Sequence, residues 1–117
     1  MIAETLQKIV EGTPGAQGAI LVDADGIVID QYAGDGAADL ESIAQELSAR
    51  LLGIRQTAES LNLGAVSELT LKAANHTLAI RFIKNDMFAV LVLGSPGHLG
   101  KGRWKLRSSV AALDAEV

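Results

Sequence analysis

Residues 71–94 read LKAANHTLAIRFIKNDMFAVLVLG, and the fold turns on how they pair. Taken with the preceding VSELT, the alternation predicts three strands, at 66–74, 77–84 and 87–94. In the first, Leu69 and Leu71 face one way and Thr70 and Lys72 the other. Asn75-His76 and Asn85-Asp86 are two-residue connections, so the three strands form an antiparallel meander. The last strand is apolar on both faces, as a central strand covered on both sides must be. The first has only one certain neighbour and is expected at a sheet edge.

Upstream, GAILVDADGIVID (residues 18–30) places Asp25-Gly26 between two apolar runs. That predicts strands at 18–23 and 27–33 joined by a tight primed turn with positive φ. Over residues 38–63, Leu40, Ile43, Ala44, Leu47, Leu51, Ile54, Ala58 and Leu61 hold an apolar stripe, the mark of a long helix. Asp39 or Asp35 is positioned to cap its start and Gly64 to end it. Ile2, Leu6, Ile9 and Val10 mark a first helix that stops at EGTPG. Leu99, Leu106, Val110 and Leu113 mark a closing one. The order helix, two strands, long helix, three strands, helix makes an α+β fold in three layers, α/β/α. The five-stranded antiparallel sheet carries the long helix on one face and two helices on the other. One domain is expected over residues 1–117.

Composition narrows the function classes. The chain is 49% hydrophobic and 21% charged, an ordinary globular balance, and has no cysteine for disulfides, thiolate ligation or thiol catalysis. Its first residues lack the basic-then-apolar order of a secretory signal, and no apolar run approaches membrane-spanning length. A cytoplasmic location is expected, with no membrane insertion. Residues 1–60 carry ten acids against Lys8, Arg50 and Arg55, whereas residues 61–117 carry four acids against seven bases; the net charge is −4. That balance, with only 3% aromatic residues, argues against a nucleic-acid partner.

Candidate chemistry fails residue by residue. Gly94-Ser-Pro-Gly-His-Leu-Gly-Lys101 resembles a phosphate loop, but the glycine spacing is wrong and Gly102 follows Lys101 where a magnesium-binding hydroxyl belongs. The glycines are better read as letting strand and helix pack closely. His76 and His98 fall in separate loops with no converging ligands, so no metal site is expected. Asp23, Asp25 and Asp30 lack calcium-loop spacing. Ser42, Ser48 and Ser60 have no histidine base beside them in sequence. Lys101, Arg103, Lys105 and Arg107 wrap around their helix, and Trp104 is expected to be a partly buried support. No catalytic residue and no cofactor is expected.

The outer face of the long helix is unusual. Opposite the core stripe lie Gln45, Ala49, Leu52, Gly53 and Gln56, small or uncharged where a solvent face carries charge. Glycine inside a helix costs about 1 kcal/mol relative to alanine. Close approach of another helix is one reason for Gly53, and tolerated sequence drift is the other. The strand at 66–74 has no proline and one lysine to protect it as an edge. Edge pairing beside helix packing gives a two-fold dimer with a continuous sheet.

With these elements in this order, GAILVDADGIVID, the long helix, LKAANHTLAIRFIKNDMFAVLVLG and GHLGKGRWKLR resemble the Roadblock / dynein light chain family over about residues 2–113. The bacterial branch, with its MglB-like partners of small Ras-like GTPases, is the nearest in pattern. The resemblance implies a homodimer paired through the third strands and the long helices. The dimer interface would comprise Val66, Glu68, Leu69, Thr70, Leu71 and Lys72. It also implies a regulator without catalytic residues that engages a GTP-bound, MglA-like GTPase through Gln45, Ala49, Leu52, Gly53 and Gln56. Such a regulator accelerates hydrolysis without an arginine finger. Other members only tether assemblies, which leaves a structural dimerisation module as the second expectation.

Overall fold

Strands β1 (Ala16–Val22), β2 (Val28–Ala33), β3 (Glu68–Lys72), β4 (Thr77–Phe82) and β5 (Phe88–Leu93) join in the order β2-β1-β5-β4-β3, each neighbouring pair antiparallel. The computed structural model describes residues 1–36 and 39–117. Helices α1 (Ile2–Glu11) and α3 (Leu99–Glu116) pack on one face, and α2 (Leu40–Ser60) on the other. This is the expected three-layer α+β arrangement. The expected first residue of the long helix, Ala38, lies outside the described residues.

β5 sits between β1 and β4, and all six of its residues are buried. Because side chains alternate across a strand, it serves two cores. Ala89, Leu91 and Leu93 meet Leu6 and Ile9 of α1 and Leu106 and Leu113 of α3. Phe88, Val90 and Val92 meet Leu40, Ala44 and Leu51 of α2. Fully burying each large aliphatic side chain contributes about 1.5–3 kcal/mol, which makes β5 the principal hydrophobic strand. The glycine-rich stretch running into α3 works by close approach, and its clearest case lies in the first turn of the helix itself. A Cβ at Gly102 would stand 2.8 Å from Leu91 Cδ2 and 3.3 Å from Thr13 Cγ2, so glycine lets α3 settle onto β5.

Several local expectations are corrected. In the first hairpin only Gly26 has positive φ, +84°. Asp23 Oδ1 accepts from the backbone N–H groups of Asp25 and Ile27, both at 2.9 Å, so an aspartate-braced turn replaces the primed one. The β3–β4 connection centres on Ala74-Asn75 instead of Asn75-His76, because Lys72 pairs with Thr77 and the Ala73 N–H donates to the His76 carbonyl. Asn85-Asp86 does form the primed turn, with φ of 58° and 62°. Asn62, not Gly64, stops α2. It turns left-handed at φ 57°, and the Leu63 N–H reaches back to the Ala58 carbonyl at 2.9 Å. The third strand is shorter than 66–74, which leaves Val66 in the loop before it.

The α2 stripe also ends early. Leu40, Ala44, Leu51 and Ala58 are buried, but Ile54 is 41% and Leu61 63% exposed. Leu61 stands one residue past the end of α2, and Ile54 shares its side of the helix with the half-buried Ile43 but lies nearer the C-terminal end. At one edge of the sheet, β2 carries a bulge, since Leu21 pairs with Asp30 while Val22 pairs with Val28. There Asp30 Oδ1 accepts the Gln31 N–H at 2.8 Å.

Candidate protein-binding face

Two anchors set the rotation of α2. At its start, Asp39 is the N-cap, accepting from the Ser42 backbone N–H at 3.2 Å and from the Ser42 hydroxyl at 2.7 Å. The Ser42 hydroxyl, then its backbone N–H, hold the Asp39 carboxyl below its ordinary value. On the order of four helical turns further on, Arg55 Nη2 bonds Asp86 Oδ1 at 2.5 Å. Its guanidinium also stacks 4.7 Å from the centre of the Phe82 ring. Ser48 turns its hydroxyl to the Ala44 carbonyl at 2.6 Å and lies against Gly26.

With α2 fixed in this way, Gln45, Ala49, Leu52, Gly53 and Gln56 are all exposed on its outer side. Leu52 is 57% exposed. Among the described residues nothing lies within 4 Å of where a Gly53 Cβ would be, so none of their contacts requires glycine there. A groove of about 740 Å³ opens beside this face, lined by Leu52, Arg55, Gln56, Asn62 and Val66 among others. Val66 therefore belongs to the groove wall, not to the strand.

β3 forms the sheet edge next to this surface. The Phe82 N–H donates to the Ser67 carbonyl and the Ala73 N–H to the His76 carbonyl. In the observed register those pairs alternate with Glu68, Thr70 and Lys72, whose backbone N–H and C=O groups therefore point outward. Leu69 and Leu71 pair opposite Ile80 and Leu78 and share the α2 side of the sheet. Leu71 is 52% exposed. Glu68 is held from two directions, by Arg81 Nη1 at 3.1 Å and by Arg103 Nε at 2.7 Å, which ties the start of β3 to α3.

The remaining candidates have structural employment or none. His98 caps α3, its Nδ1 accepting the Lys101 N–H at 3.1 Å, while His76 is exposed in the hairpin. Ser60 is exposed and Ser42 serves the cap. Among the described residues no three His, Asp or Glu side chains group as metal ligands, and no helix is long and apolar enough to cross a membrane. Trp104 is 54% exposed, more open than the expected partly buried support. Sequence reasoning missed the Arg55–Asp86–Phe82 anchor. Its one signal was the position of Arg55, about 60° from Leu40 at the rim of the apolar stripe.

A five-stranded antiparallel sheet between helix layers, with α1 and α3 on one face and α2 on the other, defines a three-layer α+β domain. The chain belongs to the Roadblock/LC7 domain family, whose match spans residues 2–93. Among solved structures it is similar to MglC from Myxococcus xanthus, at 32% identity over 97% of each chain and a TM-score of 0.70. It also resembles the gliding protein MglB of Thermus thermophilus, at 22% identity over 96% of this chain and 84% of that one, TM-score 0.85. Myxococcus xanthus MglB is 16% identical over 97% and 92% of the two chains, TM-score 0.86. No curated protein matches the chain in sequence.

Proposed function

We propose that the protein is a cytoplasmic, homodimeric, non-enzymatic regulator that binds a small Ras-like GTPase in its GTP state through paired α2 helices. The observation that carries this reading is the outer face of α2. It is exposed and uncharged at Gln45, Ala49, Leu52, Gly53 and Gln56, and its glycine answers to no contact among the described residues. Fully exposed helix faces carry charge; this one is suited to another protein's backbone or helix at close range. In the dimer, β3 pairs with its two-fold copy through the outward groups of Glu68, Thr70 and Lys72, with Leu69 and Leu71 beside them and Val66 contributing from the adjoining loop. Two α2 faces then form one platform.

Catalysis on such a platform is differential binding. The dimer would favour the GTPase conformation that orients the attacking water, and so would lower the hydrolysis barrier with no reacting group of its own. One observation favours the second reading, a structural dimerisation module without a nucleotide-dependent partner. Identity is higher to MglC than to either MglB, so the likeness to MglB rests on the fold.

The test immobilises the protein and passes lysate of its own cells over it with a non-hydrolysable GTP analogue or with GDP. Retention of a small GTPase only with the analogue supports the regulator, and Ala49→Arg with Gly53→Arg should abolish that retention without altering the fold. A nucleotide-indifferent catch of assembly proteins moves the conclusion to the structural module.

A further inference from the structure

The solvent side of α3 carries features the α2 platform does not use. Trp104, the one tryptophan of the chain, stands 54% exposed although Leu106 and Leu113 complete the core beneath it. At 100° per residue, Arg103 and Arg107 fall to one side of it and Lys101 and Lys105 to the other. The Lys105 Nζ lies 5.8 Å from the Trp104 ring centre. From Met87 to Leu113 the sequence has no acidic residue. A notch of about 170 Å³ lies beside the indole, lined by Gly100, Arg103, Trp104, Arg107 and Glu68. The Glu68 carboxylate already takes the Arg103 Nε at 2.7 Å there, which shows how a carboxylate fits this surface.

We infer that this face of α3 docks an acidic segment of a partner protein. Carboxylates of the segment would meet Arg107 and Lys101, and one apolar side chain would lie on Trp104 beside Gly100. Charge complementarity selects the occupant, since an Arg-flanked aromatic suits carboxylates in a fixed geometry. An anionic membrane suits it less. In-plane membrane helices need a broad apolar face, and α3 spends its apolar side on the core, leaving Trp104 as the exposed large apolar residue. α3 and α2 lie on opposite faces of the sheet, so this inference stands apart from GTPase binding and fails separately.

Trp104 supplies the readout. The full chain is titrated with a synthetic glutamate-rich peptide bearing one central phenylalanine, and with its glutamine-for-glutamate twin, while tryptophan emission is followed. The expected result is a saturable, salt-weakened change with the acidic peptide only. Lys101→Gln with Arg107→Gln should reduce affinity about tenfold at an unchanged urea midpoint, and Ala49→Arg with Gly53→Arg should leave it unaltered. The inference is overturned by no saturable change up to about 1 mM peptide, by equal binding of the twin, or by full affinity in the Lys101/Arg107 variant. Binding of phosphatidylserine vesicles in place of the peptide, or self-association that the Lys101/Arg107 variant abolishes, overturns it in favour of a membrane surface or a second copy.

Discussion

Gly53 is a residue whose cost and use fall in different states of the molecule. In the isolated chain its Cβ position is open, so Gly53→Ala should stabilise the protein by about 0.8–1 kcal/mol through helix propensity alone. Urea denaturation measures this. If the outer face of α2 is a docking platform, the same substitution weakens partner binding; a variant that is both more stable and fully active would make the glycine mere drift. Asp39 is the second residue with a separable role. The Ser42 hydroxyl and N–H hold its folded-state pKa below the unfolded value. Its contribution is therefore complete above the unfolded carboxylate range and is lost as pH falls through the folded value. Asn caps helices about as well as Asp but does not titrate. The urea midpoint of the wild type should accordingly fall relative to that of Asp39→Asn between about pH 5 and about pH 3. A constant difference would mean that the cap is not formed.

Among the elements, β3 gives the cleanest test, because its register separates inward from outward hydrogen bonds. The Thr70 N–H points away from β4. Thr70→Pro therefore removes an edge donor without removing a bond within the sheet, a substitution edge strands accept. If the proposed dimer forms, the expected product is a folded monomer by sedimentation beside a dimeric wild type; a dimer that survives would place the interface elsewhere. The elements themselves were legible in the sequence. Leu69/Leu71 alternation, the continuous apolar run of β5 and the stripe from Leu40 to Leu51 each report a local periodicity that burial enforces. What was not legible depends on placement and distance. Ile54 and Leu61 continue the periodicity of Ile43 and Leu47, which pack on the core, and the periodicity carries no sign that they stay exposed. Asn62 ends α2 before Gly64 because an asparagine tolerates the left-handed region well enough to take the first such position. Arg55 finds Asp86 across 31 residues of chain, a contact that no window on the sequence contains. The platform residues could be proposed from the helical wheel, since exposure follows directly from it, but Val66 could not be assigned to strand or groove until the length of β3 was known.

For the whole molecule, exposed Leu61, Leu63 and Leu71 and an unprotected edge amount to a surface suited to association. A dimer formed there links stability to concentration by mass action. The urea midpoint should rise with protein concentration for the wild type and stay fixed for Thr70→Pro; concentration independence in both would argue for a monomer. The other margin of the sheet behaves differently. β2 bends at its bulge, and the Asp30 carboxylate occupies the Gln31 N–H that a foreign strand would need. Two protomers joined at β3 would present β2 at both ends of the shared sheet. If those ends were as open as the middle once was, dimers would add to dimers without limit. In such a dimer a carboxylate folded back on its own backbone would act as a stop at each outer margin, setting a countable component against a fibre.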